Sequence, residues 1–379
     1  MRATQGGDVG IIGAGLIGLS LAFELAGRGA AVRIFDRGEP GKAASWAGAG
    51  MLAPYTEEID DKPLRQLCER SLAMYPAFTE IVRQESGVDP QLQLNGILSV
   101  AYGDEVSSLR ERATRLHEYG IAAALLDRMQ TLALEPALAP TAAGSLLVQG
   151  EGQVDNRRLG RALLAACEKR GVVVETNVSS VAVRCNPRRV LGVSTNGGFS
   201  AADAVVNASG AWAAQLDEVP HSCVPDVRPV KGQMLSIEIP RGLMQRVTWV
   251  PGAYLVPRAD GRLLVGATVE HVDFDQRVTA DGMYTLLQAA LSAASGLQHF
   301  TIGEMWAGLR PGTPDGRPFL GPTPLEGYFM ATGHYRNGIL LAPVTAVLLA
   351  DAIEGNAAAC TPFLLERGVE MPASRREVS

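Results

Sequence analysis

The chain has 379 residues, which is more than one hydrophobic core usually supports, so its length predicts about two domains. Its composition, 47% hydrophobic and 20% charged, is that of a soluble globular protein, and the net charge of −6 argues against a nucleic-acid partner, which requires a basic face. Five scattered cysteines without a C-x-x-C pair predict a reduced, cytoplasmic protein with no disulfide framework and no metal site.

The N-terminal segment has the pattern of a strand, a glycine-rich turn, a helix and a second strand. Its apolar run over 9–23 is shorter than the roughly 20 residues that span a membrane, so we interpret it as a buried strand entering a helix and expect no membrane partner. The turn carries Gly13, Gly15 and Gly18 as G-x-G-x-x-G, which lets a backbone approach a pyrophosphate at the helix N-terminus. Asp36 ends the second strand, where a carboxylate accepts hydrogen bonds from ribose hydroxyls. The pattern predicts a dinucleotide site, with a strand over 9–12, a helix over 16–26 and a strand over 31–35.

The next segment, AASWAGAGMLAP over 43–54, narrows the choice of dinucleotide. Small residues dominate it, so the chain could run flush against a flat ligand. An ordinary nicotinamide dehydrogenase has no need of such a loop soon after its second strand. The acidic run EEIDD over 57–61 is expected to be a solvated loop and not a metal site.

The middle of the chain carries alternating and helical patterns. The predicted elements are an alternating strand within 91–102, a charged helix around 105–119, a helix over 156–171, a strand over 172–176, a buried strand over 205–208 and a sheet region over 228–268. Tyr254 falls in a strand of that sheet, where an ordinary cross-strand tyrosine is the plain alternative to a functional one.

Two arginines near the C-terminus stand in apolar settings. Arg310 lies in WAGLRPGTPDG, and Arg336 in TGHYRNGILLAP just before a predicted helix. An unpaired guanidinium is costly to bury, so each should face an anion. The alternatives are that each arginine pairs with a protein acid, for which Asp315 and Glu304 are close to Arg310 in sequence, or holds backbone carbonyls.

Several separated motifs, in this order, carry a resemblance to a known family. They are GIIGAGLIGLS, SWAGAGMLAP, VVNASGAWA, PVKGQML, YLVPR, GRLLVGAT, WAGLRPGTPDGRPFLGP and GHYRNGILLAPVT. The chain thereby resembles, over nearly its whole length, the FAD enzymes of the D-amino acid oxidase and sarcosine oxidase superfamily. Within that superfamily it is most similar to the glycine oxidases of the thiazole branch of thiamine synthesis.

The resemblance implies an α/β fold in which a Rossmann-type, glutathione-reductase-like FAD-binding domain is interleaved with an α+β substrate domain built on an antiparallel sheet. The expected FAD-binding domain comprises 1–85, 145–215 and 303–379, and the substrate domain 86–144 and 216–302. FAD should be bound non-covalently, because no cysteine lies between Cys223 and Cys360, near the expected flavin.

The resemblance also implies the site residues. Arg310 and Arg336 would bind a substrate carboxylate together with the Tyr254 hydroxyl, and these three are the expected catalytic residues. Val269 would line the substrate pocket, where the family often has methionine. The expected FAD-binding residues are Gly13, Gly15, Leu16, Ile17, Gly18, Asp36, Arg37, Ala44, Ser45, Ala49, Gly50, Met51, Val178, His334, Tyr335, Arg336, Asn337, Gly338, Ile339 and Leu340.

The activity implied is oxidative deamination of glycine or a similar small amino acid or amine. Hydride transfer to FAD N5 would give an imino acid, then an oxo acid and ammonia, with O₂ reduced to H₂O₂. The alternatives are a D-amino acid or sarcosine oxidase or dehydrogenase with another acceptor, and a catalytically silent FAD-binding subunit. A homo-oligomer is compatible with the sequence, no group is assigned to oxygen activation, and the motif around Lys231 is equally compatible with sheet structure.

Overall fold

The computed structural model describes residues 8–367. The helices are α1 (Leu16–Gly27), α2 (Ala44–Ala47), α3 (Lys62–Ser86), α4 (Val106–Glu118), α5 (Arg128–Leu134), α6 (Asn156–Lys169), α7 (Ala280–Ala293) and α8 (Ala342–Ile353). The strands are β1 (Asp8–Ile12), β2 (Ala31–Phe35), β3 (Met51–Leu52), β4 (Ile97–Tyr102), β5 (Ala123–Asp127), β6 (Ala142–Val148), β7 (Gly152–Gln153), β8 (Val173–Glu175), β9 (Val181–Cys185), β10 (Val190–Thr195), β11 (Gly198–Ala201), β12 (Ala204–Asn207), β13 (Arg228–Glu238), β14 (Val247–Val250), β15 (Ala253–Pro257), β16 (Arg262–Gly266), β17 (Thr301–Gly312), β18 (Phe319–Pro322) and β19 (Tyr328–Thr332).

A six-stranded sheet forms the first layer, in the order β18-β19-β12-β1-β2-β8. All its pairings are parallel except β18 with β19. β1 is central and buried because its residues after Asp8 are apolar or glycine. Helices α1, α3, α6 and α8 share one apolar core with one face of the sheet. The three-stranded antiparallel sheet β11-β10-β9 shares a second core with the opposite face, through residues such as Phe35 and Val193.

An eight-stranded sheet forms the second layer, in the order β17-β13-β16-β15-β14-β4-β6-β5. Its pairings are antiparallel except for β4 with β14, which run parallel. Helix α7 packs on one face of this sheet in an apolar core that includes Leu255 and Leu286. The other face presents Met234, Tyr254 and Trp306 towards the chain around α2. This mixed α/β arrangement confirms the predicted fold class.

Two expected domain boundaries, 145 and 303, fall inside strands of the eight-stranded sheet. Residue 145 lies in β6 and residue 303 lies in β17, so both strands belong wholly with the second layer. The division into two domains stays a prediction, and a division that keeps strands whole would assign 142–148 and 301–312 to the substrate domain. In the described residues, 8–367, no helix is both long enough and apolar enough to cross a bilayer.

Candidate active site

A cavity of about 590 Å³ runs between the two layers. One end lies at the carboxyl edge of β1 and β2, where Asp36 and Arg37 line it, and the other at the eight-stranded sheet, where Tyr254 and Arg310 line it. Ligands of open parallel sheets bind outside the carboxyl ends of the strands, and this cavity occupies that place. Eighteen of the predicted residues line it: Gly13, Gly15, Ile17, Asp36, Arg37, Ala44, Ser45, Ala49, Gly50, Met51, Val178, Tyr254, Arg310, His334, Tyr335, Arg336, Gly338 and Ile339.

The glycine-rich turn has the geometry that the spacing predicts. Gly13 has φ +112°, and a Cβ there would lie 2.4 Å from the backbone oxygen of Ala208. A Cβ on Gly18 would lie 1.9 Å from the oxygen of Gly13, so this glycine lets α1 pack closely on the turn. Around Gly15 only Ser45 Oγ approaches a built Cβ, at 3.2 Å, and the same oxygen accepts a 2.9 Å hydrogen bond from the N–H of Leu16, so Gly15 and Ile17 line the cavity beside a helix N-terminus whose first N–H is already bound.

Asp36 holds the chain at the end of β2. Its carboxylate accepts a 2.6 Å hydrogen bond from the N–H of Ala14 and a 2.8 Å bond from the N–H of Gly38. The guanidinium of Arg37 lies 3.9 Å from the ring centroid of Trp212, so these two side chains form a wall at this end of the cavity. Trp212 was not predicted as a site residue, although it stands in the quoted motif VVNASGAWA.

The small-residue segment after α2 is fixed by a buried arginine. Arg258 donates hydrogen bonds to Ala49 O at 2.9 Å, Val154 O at 3.1 Å and Asn156 Oδ1 at 2.8 Å. Burial lowers the pKa of Arg258 to about 10, which still leaves the guanidinium charged at neutral pH. Gly50 has φ +72° and approaches Val154 O so closely that a Cβ would lie 2.0 Å from it. Arg258 and Gly50 therefore together keep the backbone of this segment close to the cavity wall.

Tyr254 and His334 are both buried in the cavity wall. The hydroxyl of Tyr254 donates to Met234 Sδ at 3.9 Å, and burial raises the pKa of this phenol. His334 Nε2 lies 3.1 Å from Thr345 Oγ1, and burial lowers the pKa of its imidazole to about 3. At neutral pH the tyrosine is a neutral hydroxyl, and the histidine is neutral and a weak base.

Arg310 meets backbone carbonyls and no acid. Its Nη1 donates to Lys231 O at 3.2 Å and to Thr268 O at 3.1 Å. Neither acid near it in sequence is its partner, because Asp315 pairs with Arg367 and Glu304 pairs with Arg157. Among the side chains that the structure describes, no carboxylate forms an ion pair with Arg310. Its charge is therefore available to an anion in the cavity.

Arg336 does have an acidic partner. Its Nε lies 3.3 Å from Oε2 of Glu57, and this carboxylate raises the pKa of the arginine. Glu57 lines the cavity, and its side chain is only 11% exposed. The expectation that 57–61 is a wholly solvated loop is therefore wrong at its first residue, because the chain after β3 turns inward to meet a cation 279 residues away.

Five predicted residues do not line the cavity. Leu16 and Leu340 are buried in the helical core of the first layer, and Asn337 accepts a backbone hydrogen bond from Leu341 at the start of α8. Gly18 packs against the turn, as described above. Val269 is 47% exposed and does not line the cavity, so its predicted place beside the substrate stays a prediction that this geometry does not support.

Lys231 is also outside the cavity lining. It is 1% exposed, and its Nζ lies 3.0 Å from Oε2 of Glu270. Gly232 and Met234 of β13 line the cavity. Because successive strand residues point to opposite faces, Lys231 points to the face of the sheet away from the cavity. The sheet-structure interpretation of the Lys231 motif thus fits its position. No group of three side chains that could ligate a metal is present among the residues whose side chains the structure describes.

These features define a class of protein. The cavity lies at a helix N-terminus, its wall contains glycines that leave no room for side chains, and it ends at an arginine without an acidic partner among the described side chains. This arrangement fits FAD with a small anion beyond it. The molecule is an FAD-dependent oxidoreductase.

Comparison with known proteins agrees with this class. The chain belongs to the DAO family of FAD dependent oxidoreductases, which matches residues 8–352. It is 38% identical over 368 residues to the glycine oxidase of Geobacillus kaustophilus (strain HTA426), covering 96% of this chain and 97% of that protein. The crystal structure of glycine oxidase from Geobacillus kaustophilus superposes with a TM-score of 0.89, 37% identity and coverage of 97% and 100%.

Two other similar proteins widen the comparison. The bifunctional protein ThiO/ThiG of Trichormus variabilis (strain ATCC 29413 / PCC 7937) is 39% identical over 353 residues, covering 91% of this chain and 52% of that protein. The chain therefore spans about half the length of such bifunctional relatives. The crystal structure of iminodiacetate oxidase from Chelativorans sp. BNC1 has a TM-score of 0.82 and 30% identity, with coverage of 92% and 95%.

Proposed function

We propose that this protein oxidises glycine or a similar small amino acid or amine, such as sarcosine or a D-amino acid, with O₂ as electron acceptor. The observation that carries the proposal is Arg310, a cavity-lining guanidinium without an acidic partner in the described chain. The likeness to glycine oxidases over more than 90% of both chains supports the same substrate class.

In this proposal Arg310 and Arg336 bind the substrate α-carboxylate. A guanidinium presents two parallel N–H groups to a carboxylate, so it fixes orientation as well as supplying charge. Tyr254 lines the same end of the cavity and would add a neutral hydroxyl donor. Together these residues would hold the α-carbon at a constant position, which is the main contribution a protein makes to a direct hydride transfer.

FAD, when bound, supplies the acceptor for one hydride, which carries two electrons and one proton. The residues that would hold it are the glycine turn, Asp36 and Arg37 at one end, and the chain around Ser45 and Gly50 in the middle. No cysteine lines the described cavity, which supports non-covalent binding. His334 would be a neutral wall residue and not the base, because its pKa of about 3 makes it a weak proton acceptor.

Loss of the Cα hydrogen with its electron pair, together with one proton from the nitrogen, would convert the amine to an imino acid. Water would then hydrolyse the imino acid to an oxo acid and ammonia, while O₂ takes the two electrons and two protons to form H₂O₂. A place in thiazole formation for thiamine, which the family resemblance implies, is part of the proposal, and the similarity to the bifunctional ThiO/ThiG protein supports it. Cytoplasmic location and a homo-oligomeric state are further parts of the proposal.

The test is a panel of amines offered to the purified FAD protein, with peroxide and ammonia measured together. Glycine, sarcosine and both enantiomers of alanine distinguish glycine, N-methyl and D-amino acid oxidation. If an amine of the panel bleaches the yellow flavin anaerobically but no peroxide forms in air, the electron acceptor is a compound other than O₂, and that part of the proposal is wrong. A flavin that no amine bleaches would contradict the proposal and favour a silent FAD-binding subunit.

A further inference from the structure

The charges at the substrate end of the cavity include an acid that the proposed carboxylate binding does not use. Arg310, Arg336 and Glu57 all line this end. Because Glu57 lies 3.3 Å from Nε of Arg336, it offsets one of the two positive charges. The neutral phenol of Tyr254 and the neutral imidazole of His334 add no charge at neutral pH. The three ionised side chains thus sum to one positive charge.

Glu57 is held in place by a buried network. Glu57 lies near the end of the segment 53–58, which follows β3. Glu151, which is fully buried, accepts hydrogen bonds from Tyr55 N at 2.6 Å, Thr56 N at 2.9 Å and the Thr56 hydroxyl. Arg112, also buried, donates to Thr56 O. Thr56 is therefore held through its N–H and hydroxyl by Glu151 and through its carbonyl by Arg112. Because Thr56 directly precedes Glu57, these bonds limit how far the Glu57 carboxylate can move from the cavity.

The bond to Glu57 occupies only one side of Arg336. The carboxylate meets the Nε–H, and a guanidinium has four further N–H groups on its two Nη atoms. Arg336 can therefore keep Glu57 and still donate to a substrate carboxylate. Replacing Glu57 by a neutral residue with the same oxygen would leave the geometry of this hydrogen bond unchanged and would raise the net charge of the site from +1 to +2.

We propose that Glu57 is a specificity-determining residue that restricts this site to substrates with a single carboxylate. The inference rests on the proposed amino-acid oxidation. The first carboxylate of a substrate neutralises the one net positive charge of the site. A second carboxylate, as in iminodiacetate or an acidic amino acid, would therefore find no unpaired cation there and would approach the Glu57 anion. Like charges brought together in a partly desolvated site disfavour the wrong ligand strongly.

The test compares one-carboxylate and two-carboxylate ligands in the FAD-loaded protein and its Glu57→Gln variant. Gln keeps an oxygen for the Arg336 Nε–H but carries no charge. Acetate and malonate are titrated against the visible flavin spectrum, and kcat/KM is measured for glycine and iminodiacetate. We expect the variant to shift both ratios towards the two-carboxylate ligand by at least about tenfold. Asp60→Asn is the matched control, because it removes one negative charge from an exposed residue outside the cavity, and its ratios should equal those of the wild type.

The outcomes separate the two proposals. Equal changes for both ligands in Glu57→Gln, or no change, would overturn the specificity role and leave Glu57 as a structural partner of Arg336. A wild-type protein that oxidises no amine would refute the proposed function, yet the acetate and malonate titrations would still show whether Glu57 selects for charge. A shift of the ratios in Asp60→Asn as large as in Glu57→Gln would attribute the effect to net charge and also overturn the inference.

Discussion

The guanidinium of Arg310 occupies the space over Gly232 where any other residue would carry a side chain. A Cβ built on Gly232 would lie 2.3 Å from Nη2 and 2.4 Å from Nη1 of Arg310. The two residues are near neighbours on paired strands, since Arg310 is opposite Val230 in the register of β13 with β17. The glycine of PVKGQML is therefore part of the arginine site.

Replacing Gly232 with alanine should displace Arg310 without disturbing FAD. We expect Gly232→Ala to raise KM for the best amine substrate at least about tenfold, while the flavin content stays that of the wild type. Gly303→Ala is the control, because its Cβ would likewise meet a side-chain atom at close range, Ser236 Oγ at 2.7 Å, but elsewhere in the same sheet. KM is measured by steady-state kinetics and flavin content by absorbance. An unchanged KM in Gly232→Ala would show that Arg310 binds the substrate equally well from a shifted position, and would contradict the prediction.

Removing the Arg310 guanidinium should lower kcat/KM at least about 100-fold, because a charged partner of the substrate carboxylate is lost. Arg310→Lys keeps the charge but loses the two parallel donors, so its activity should lie between those of the wild type and Arg310→Ala. Peroxide formation over a range of amine concentrations provides the measurement. Wild-type kinetics in Arg310→Ala on every amine would rule out this arginine as the carboxylate site.

Gly13→Ala should yield protein that does not retain FAD. The substitution meets both a φ of +112° and a backbone oxygen 2.4 Å from the new Cβ, so the turn has to move. Gly29→Ala is the matched control, because its φ is +91° but no atom lies within 4 Å of its Cβ. We expect the control to lose about 1–2 kcal/mol of stability from backbone strain and to bind FAD normally. Flavin content after gel filtration is the readout, and equal FAD retention in the two variants would contradict the predicted role of the turn.

Glu151 should make the stability of the protein fall as the pH rises. Burial raises the pKa of this carboxyl from 4.5 to about 7, so between these values the folded state holds a proton that the unfolded state has lost. The free energy of unfolding therefore decreases from pH 4.5 to 7 and is level above 7, as far as this group is concerned. Relative to the wild type, Glu151→Gln should gain stability across that window, by no more than about 3 kcal/mol. Urea unfolding at pH 5 and pH 8 tests this, and a pH-independent difference between the two proteins would contradict it.

Much of the nucleotide end could be predicted because its determinants are close together in the chain. The strand, turn and helix around Gly13 to Gly18 depend on backbone angles and on contacts within one unit, and the observed β1, α1 and β2 match the predicted ranges to within one residue. The helix at 156–169 likewise follows from its own apolar spacing. The long helix α3 and the sheet β9–β11 had no such prediction, although both help to form the cores around the first layer.

The sequence by itself determined the class of cofactor site and the presence of two arginines that need an anion, because glycine spacing and the cost of burying charge are local properties. Only the tertiary structure decided that Arg310 rests on Gly232 and carbonyls, that Arg336 meets Glu57, and that Val269 lies outside the cavity. The reason is that a partner is chosen by how distant segments pack. Glu57 and Arg336 are brought together by folding alone, and no local pattern encodes that distance.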